Sequence, residues 1–237
     1  MSRSRHYYDA FSTTYEAQRH RGYHRLIDEL ETELALDYCR DGRVLEAGCG
    51  TGLILQRLAP AARQAIGLDL SAGMLGRARD RALTVAQGSV DALPFPDGTF
   101  DAVVSFKVLA HVPTIERTLA ELARVTRPGG HLVLEFYNRF SLRHLVKRVK
   151  APTRIAQRFT DADVFTRYDT LREVRRYLPP TVELKRVRGV RVITPTAQCH
   201  DLPGIRALFG WAERRAADHP LLRQLGGFLI VVLQRRD

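Results

Sequence analysis

Apolar residues recur along this chain in short unbroken runs, with helical stretches between them. From residue 43 to residue 137 the runs are RVLEA (43–47), AIGLD (65–69), LTVAQ (83–87), FDAVVSF (100–106) and HLVLEFY (131–137). Each is rich in β-formers and too short for a stable helix, so each predicts a strand. Helices are expected between them, near 51–59, 71–81 and 114–126, with Pro128-Gly129-Gly130 ending the last. Strands that alternate with helices predict a parallel sheet covered on both faces. The runs VELKRVRGVRVI (182–193) and FLIVVLQ (228–234) predict two further strands. Upstream, LIDELETELALDYC (26–39) carries apolar residues at 26, 27, 30, 34 and 38, which is helical spacing, and Asp41-Gly42 marks a turn. The remainder of 1–42 is polar and helical in character, with Tyr7, Tyr8, Phe11, Tyr15 and Tyr23 on it. Two stretches break the rhythm, 138–169 after the fifth strand and 194–226 between the last two.

Composition narrows this picture. A chain of 237 residues suits one domain, or one domain with an appended cap. Its three cysteines, Cys39, Cys49 and Cys199, form no CxxC pair, which argues against a disulfide framework or zinc site and fits a reducing cytosol. The first twenty residues lack an apolar signal-peptide core. The longest apolar run, FLIVVL (228–233), is too short to span a bilayer. Charge is uneven. Residues 1–138 carry 16 Lys and Arg against 17 Asp and Glu, whereas 139–237 carry 21 against 9, so the whole excess of +11 lies in the second part. Such a part is either an ordinary solvated surface or a basic face for lipid headgroups, phosphate or nucleic acid.

The candidate chemistry begins at Val44–Gly52, VLEAGCGTG. Glycines let a ligand touch bare backbone, and a helix N-terminus attracts anions. A dinucleotide site has glycines in the pattern G-x-G-x-x-G. Here they stand at 48, 50 and 52, and position 53 is Leu, which favours a smaller anion such as an amino-acid carboxylate. A plain structural turn is the other reading. Asp69 ends the second strand, 17 residues past Gly52, where an acid can accept both hydroxyls of a ribose or cap the following helix.

With the third segment, GSVDALPFPDGTFDAVVSF (88–106), the chain resembles the class I S-adenosylmethionine-dependent methyltransferases. It is most similar to the broad group that includes the ubiquinone- and menaquinone-biosynthesis enzymes. The pieces that carry the resemblance are VLEAGCGTG, GLDLSAGML, LPFPDGTFD, SFKVLAHV and ELARVTRPGGHLVL, in the family's order over roughly 40–137. The resemblance implies a Rossmann-like α/β fold, doubly wound, with a seven-stranded, mostly parallel sheet in the order 3-2-1-4-5-7-6. It divides the chain into a helical cap (1–42), a cofactor-binding core (43–137) and substrate-side insertions with the last strands (138–237). It implies S-adenosylmethionine as cofactor. Gly48, Cys49, Gly50 and Gly52 are then expected around the methionine part and Glu46 near the ammonium. Asp69 is expected on the ribose hydroxyls, Leu70 and Met74 beside the adenine, and Phe106 by the methionyl group. Tyr15 is the expected contact from the cap, where Tyr7, Tyr8, His20 and His24 also lie. The family often has an acid where this chain has Ser89, which leaves the adenine amino group to the Ser89 hydroxyl, the Val90 backbone or Asp91.

Methyl transfer is an in-line displacement that depends mainly on alignment, and a base is needed only if the acceptor loses a proton. His111 is the candidate base. Lys107 lies four residues before it, on the same face if the segment is helical, and is expected to be a surface or substrate-carboxylate contact. No His/carboxylate cluster has metal spacing. In FSLRHLVKRVK, Leu142, Leu145, Val146 and Val149 form an apolar stripe on a basic helix. It reads as a helix packed on the sheet with its basic side in water or, next, as a lid with Leu142, Leu145 and Val149 over the substrate, with a peripheral membrane contact and an RNA-facing helix as further readings. The expected function is methyl transfer to O, N or C of a small organic molecule, apolar or lipid-like acceptors included. The alternatives are a tRNA-nucleoside methyltransferase using the basic part and a non-catalytic scaffold that keeps the fold.

Overall fold

Five strands lie side by side and parallel, and the central ones are buried on both faces. They are β1 (Arg43–Ala47), β2 (Gln64–Asp69), β3 (Val85–Gln87), β4 (Phe100–Ser105) and β5 (Thr126–Tyr137). A separate hairpin follows, β6 (Arg154–Ala156) with β7 (Phe159–Thr160). β8 (Val182–Val190) and β9 (Phe228–Arg235) then complete the main sheet, and β9 runs antiparallel to both β5 and β8. The order is β3-β2-β1-β4-β5-β9-β8, which is the expected 3-2-1-4-5-7-6. The computed structural model describes residues 3–13, 15–16, 22–141, 144, 154–156, 159–160, 165–194 and 203–237. Leu142, Leu145, Val146 and Val149 lie outside the described residues, and so does His20.

The helices are α1 (Arg3–Phe11), α2 (Gly22–Cys39), α3 (Leu55–Leu58), α4 (Ala72–Asp80), α5 (Ile115–Val125), α6 (Leu171–Tyr177) and α7 (Pro203–Ala217). Two apolar layers sandwich the sheet. Along β5, Leu132, Leu134 and Phe136 join one layer with α5, whereas Val133 and Tyr137 join the other with α2. β9 divides the same way, with Leu229, Val231 and Leu233 on one side and Phe228, Ile230 and Val232 on the other. This is the period-two alternation of a strand buried on both faces. α5 supplies Ile115, Leu119, Leu122 and Ala123 at helical spacing. Each fully buried leucine contributes roughly 1.5–3 kcal/mol by removal from water.

Three elements depart from the sequence reading. The helix expected near 51–59 is only one turn, α3, followed by a 3-10 turn at Ala59–Ala61, where Pro60 stands at the start. α5 ends at Val125 as expected, but β5 begins at once at Thr126, so Arg127-Pro128-Gly129-Gly130 lies within the strand expected to start at 131. A shift in the β4–β5 register between Phe100 and Ala102 absorbs the proline, which has no N–H for the ladder. α6 was not legible from apolar spacing. Its signal is a capping box: the Thr170 hydroxyl accepts from the Glu173 N–H (3.2 Å), and the Glu173 carboxylate accepts from the Thr170 N–H (2.8 Å). Thr170→Ala is expected to cost about 1 kcal/mol, read as a fall of a few degrees in Tm with no change in ligand affinity.

The order of strands places the site. β1 is flanked by β2 on one side and β4 on the other, so consecutive crossovers leave it in opposite directions. A crevice opens at the carboxyl ends where this reversal occurs, and ligands of such sheets bind there.

Candidate active site

β1 delivers Glu46 and Ala47 to the crevice, and the chain then turns through three glycines. Gly48 and Cys49 both donate to the Leu68 carbonyl at the end of β2 (2.6 and 2.9 Å), which folds the loop back across the neighbouring strand. Gly48 has φ +84°, and a Cβ there would overlap the Val108 side chain; Gly52 has φ +83°, and a Cβ would overlap Leu83. Bare Cα atoms are therefore demanded at both by the protein itself. Gly50 differs. It has φ +53° with nothing within 4 Å of the Cβ position, so its missing side chain leaves open space.

That space belongs to a cleft lined by Tyr15, Glu46, Gly48, Cys49, Gly50, Thr51, Leu53, Ile54, Phe106 and Lys107. Two buried polar atoms in its lining have no hydrogen-bond partner among the described residues, Glu46 Oε2 and Thr51 Oγ1. Burial holds the Glu46 carboxyl well above the usual carboxylate range, against the opposing pull of the Leu55 N–H and of Lys107. A carboxylate in this position calls for a cation.

Asp69, at the end of β2, accepts from the Gly50 N–H through Oδ2 (2.8 Å) and from the Ser71 N–H through Oδ1 (2.9 Å). Burial raises its pKa while the Ser71 and Gly50 N–H groups lower it. It does not cap α4; Ser71 does, by accepting from the Met74 N–H (3.1 Å). Leu70 is half-buried and its carbonyl accepts from Gln87, while Met74 is packed into the interior. Ser89 donates its hydroxyl proton to Asp91 (2.5 Å), and Asp91 also accepts from Thr114 (3.2 Å). Those bonds hold Asp91 below the usual carboxylate range. Val90 packs on the α5-side apolar layer.

The cap closes the crevice through residues that the sequence did not single out. Asp9 of α1 accepts from the Ser71 hydroxyl (2.5 Å) and the Gly73 N–H (3.1 Å) at the start of α4. An anion at a helix N-terminus is stabilised by the aligned peptide dipoles. Both Glu16 oxygens accept from Nη2 of Arg81, just past the far end of α4 (2.9 and 2.7 Å). Between these clasps Tyr15 reaches the cleft, its ring edge-on to Phe11 at 5.3 Å.

Lys107 and His111 are not on one helical face. Lys107 takes a left-handed backbone conformation, φ +61°, and only Leu109–His111 form a 3-10 turn. Lys107 turns to α2 and bonds Asp28 (3.0 Å) and Glu31 (2.6 Å). Its side chain is 17% exposed, so it is not a surface contact. His111 turns the other way. Its Nδ1 lies 2.9 Å from the Phe165 carbonyl, which can only accept, so Nδ1 carries the proton and Nε2 is the basic nitrogen. Its ring stands edge-on to Tyr137 (5.5 Å) and to Tyr8 (6.4 Å). Burial raises the Tyr8 phenol well above its ordinary value.

Several arginines of the basic part are held in ion pairs. Arg139, Arg167, Arg186, Arg188 and Arg214 bridge to Glu173, Asp169, Asp218, Asp218 and Glu33. Among the described residues no helix is long and apolar enough to cross a membrane, and no group of His, Cys, Asp and Glu is arranged to hold a metal ion.

Comparison with known proteins bears on this crevice. Residues 45–134 match the family model described as a methyltransferase domain. A demethylmenaquinone methyltransferase of Symbiobacterium thermophilum is 36% identical over 139 residues, covering 53% of each protein. A probable S-adenosylmethionine-dependent methyltransferase of Mycolicibacterium smegmatis is 37% identical over 105 residues, 44% of this chain and 41% of that one. The chain spans about half the length, or less, of these curated relatives. A solved structure of an S-adenosylmethionine-dependent methyltransferase from Thermotoga maritima, described as a possible histamine N-methyltransferase, superposes with a TM-score of 0.68 over 98% of this chain and 99% of that one, at 21% identity. The cofactor of such a domain is S-adenosylmethionine. The residues present fit its amino-acid end: an orphaned buried carboxylate for the ammonium, a hydroxyl without partner, and open space over Gly50.

Proposed function

We propose, from the premise that residues 45–134 are a class I S-adenosylmethionine-dependent methyltransferase domain, that this protein transfers a methyl group to a small organic acceptor. One observation carries the reading. Glu46 Oε2 is buried, faces the cleft and lacks a partner among the described residues, which is a site built for an external cation. When bound, S-adenosylmethionine supplies an electrophilic methyl group on a positively charged sulfonium.

The chain's own residues then divide the work. Glu46 accepts from the ammonium of the amino-acid tail, and Gly50 lets that tail lie on bare backbone beside Cys49. Gly48 and Gly52 hold the loop in shape. Each Asp69 oxygen accepts a backbone N–H and keeps a lone pair for a ribose hydroxyl. Ser89 has committed its proton to Asp91, so its oxygen is left to accept, which suits the adenine amino group. Leu70, Val90 and Met74 form the apolar side of the base site, and Phe106 and Tyr15 wall the methionyl end and exclude water. His111, with Nε2 basic and its ring fixed between Tyr8 and Tyr137, takes a proton from an acceptor that must lose one. The sequence assigns Leu142, Leu145 and Val149, outside the described residues, to the acceptor. Relatives named for demethylmenaquinone, malonyl-acyl-carrier protein and phosphatidylethanolamine support acceptors smaller than nucleic acid and varied in their reacting atom.

The test has two parts. Calorimetry with S-adenosylmethionine is expected to give one site per chain, and labelled methyl from it is expected in the small-molecule fraction of a metabolite extract. No binding overturns the proposal, and label appearing only in bulk tRNA at physiological salt replaces it with the RNA alternative. His111→Ala is expected to lower kcat on the acceptor so found by about 100-fold or more while donor affinity stays unchanged.

A further inference from the structure

Lys107 occupies an uncommon place. It follows Phe106 at the mouth of the crevice, and its left-handed backbone costs a residue with a side chain roughly 1–2 kcal/mol. Three acids hold it there. Its N–H donates to Glu135 Oε1 (3.2 Å), and its ammonium bonds Asp28 Oδ1 (3.0 Å) and Glu31 Oε2 (2.6 Å). Strain kept at a ligand cleft by contacts from two other elements points to a role in that cleft.

The cluster around it is acidic. Asp28 and Glu31 come from α2, Glu46 from β1 and Glu135 from β5, and their exposures are 3%, 0%, 3% and 0%. Burial raises the Glu31 carboxyl above its ordinary value, against the opposing pull of Lys107. Asp69 also acts on Glu46 from the end of β2. Cys39 and Cys49 lie near it as neutral thiols, the first pushed up to about 12 by burial and the second higher still. Lys107 is the cation of this group, and it lines the same cleft as Glu46. Without a nearby positive charge a carboxyl buried among acids takes up a proton, and a neutral acid cannot complement an ammonium.

We propose that Lys107 is a positioning residue of the donor site: its ammonium, anchored by Asp28 and Glu31, is the fixed positive charge that lets Glu46 meet the donor's amine as a carboxylate. This rests on the donor-site reading above. The ammonium thus acts through Glu46 and not on the methyl acceptor. The direction of its pH effect follows. Burial, Glu31 and Asp69 raise the Glu46 carboxyl, whereas the Leu55 N–H and Lys107 lower it. Removing Lys107 raises it further, so ionised Glu46 then requires a higher pH, and binding of an amine weakens from the acid side.

The experiment compares two probes by calorimetry: S-adenosylhomocysteine, which has the amino-acid tail, and 5′-methylthioadenosine, which lacks it. At about pH 6, Lys107→Met is expected to weaken S-adenosylhomocysteine about tenfold relative to wild type, with the loss shrinking towards about pH 8.5. Its affinity for 5′-methylthioadenosine stays within about twofold at both values, and Lys107→Arg restores the wild-type profile. Unchanged pH dependence in Lys107→Met, or equal loss of both probes at both pH values, overturns the proposal. If Lys107→Met does not fold, Lys107→Met/Glu31→Gln is measured in its place. It removes an acid together with the base, which offsets part of the effect, so an acid-side loss in the same direction but smaller than that of the single change is expected, and no loss overturns the proposal. A wild-type protein that binds neither probe refutes the donor-site reading itself, which keeps the two failures apart.

Discussion

Asp69→Ala is expected to weaken S-adenosylmethionine binding by about 1–3 kcal/mol, through charge-assisted hydrogen bonds that the variant cannot make. Two losses combine. The ribose hydroxyls lose their acceptor, and the glycine loop loses one of its ties to β2, the Gly50 N–H bond to this carboxylate, while those to the Leu68 carbonyl remain. Asp69→Asn separates them in part. Its carboxamide oxygen can keep one of the two N–H bonds, but its amide nitrogen would face the other donor, so the charge and one bond are still lost. Calorimetry on the folded variants reads the effect. An Asp69→Ala protein that binds with wild-type affinity removes Asp69 from the donor site.

A larger effect on stability is expected from Gly48→Ala. The new Cβ would overlap one Val108 methyl carbon and lie 2.9 Å from the other, at a backbone φ of +84°. Left-handed strain of about 1–2 kcal/mol adds to an overpacking penalty of about 1–3 kcal/mol, so the sum is several kcal/mol. Tm should fall by about ten degrees, since about 1 kcal/mol shifts Tm by about 2–4 °C in a chain of this size. Gly48→Ala/Val108→Ala should recover the overpacking part but not the backbone part. Gly50→Ala is the contrast. Its Cβ meets no protein atom within 4 Å, so Tm should drop little while donor affinity falls, because the methyl group fills the space over the loop. Equal melting of Gly48→Ala and wild type would refute the division of labour among the three glycines.

How much of this was readable from the chain varies with the range of the interaction. The strands were legible because a β-strand buried on both faces is a nearly unbroken apolar run. In β4, Phe100, Ala102, Val103 and Val104 are all buried, and the one acid of the run, Asp101, sits near its start and accepts from the Arg43 N–H (2.7 Å). The glycine loop was legible for a similar reason, since VLEAGCGTG brings its turn residues and its acid together within nine positions. What misled was local logic applied past its range. The four-residue spacing of Lys107 and His111 implies one face only in a helix, and the positive φ at Lys107 breaks that premise. Pro128-Gly129-Gly130 follows the end of α5 as its composition suggests, yet it is not a loop, because β5 already starts at Thr126 and runs through it with a shift in the β4–β5 register.

Sequence by itself determined the strands, their alternation with helices, and the glycine loop with Glu46 before it and Asp69 on the next strand. Those features are written in periods of two and 3.6 residues and in turn chemistry, which act over a few positions. Tertiary structure alone decided which charges meet. Lys107 finds Asp28 and Glu31 across 79 and 76 residues of chain, Ser71 finds Asp9 across 62, and His111 finds the Phe165 carbonyl across 54. No local period encodes such pairs. They arise because burial makes an uncompensated charge costly, so the partner is whichever group the packing of α1, α2 and the sheet brings within reach.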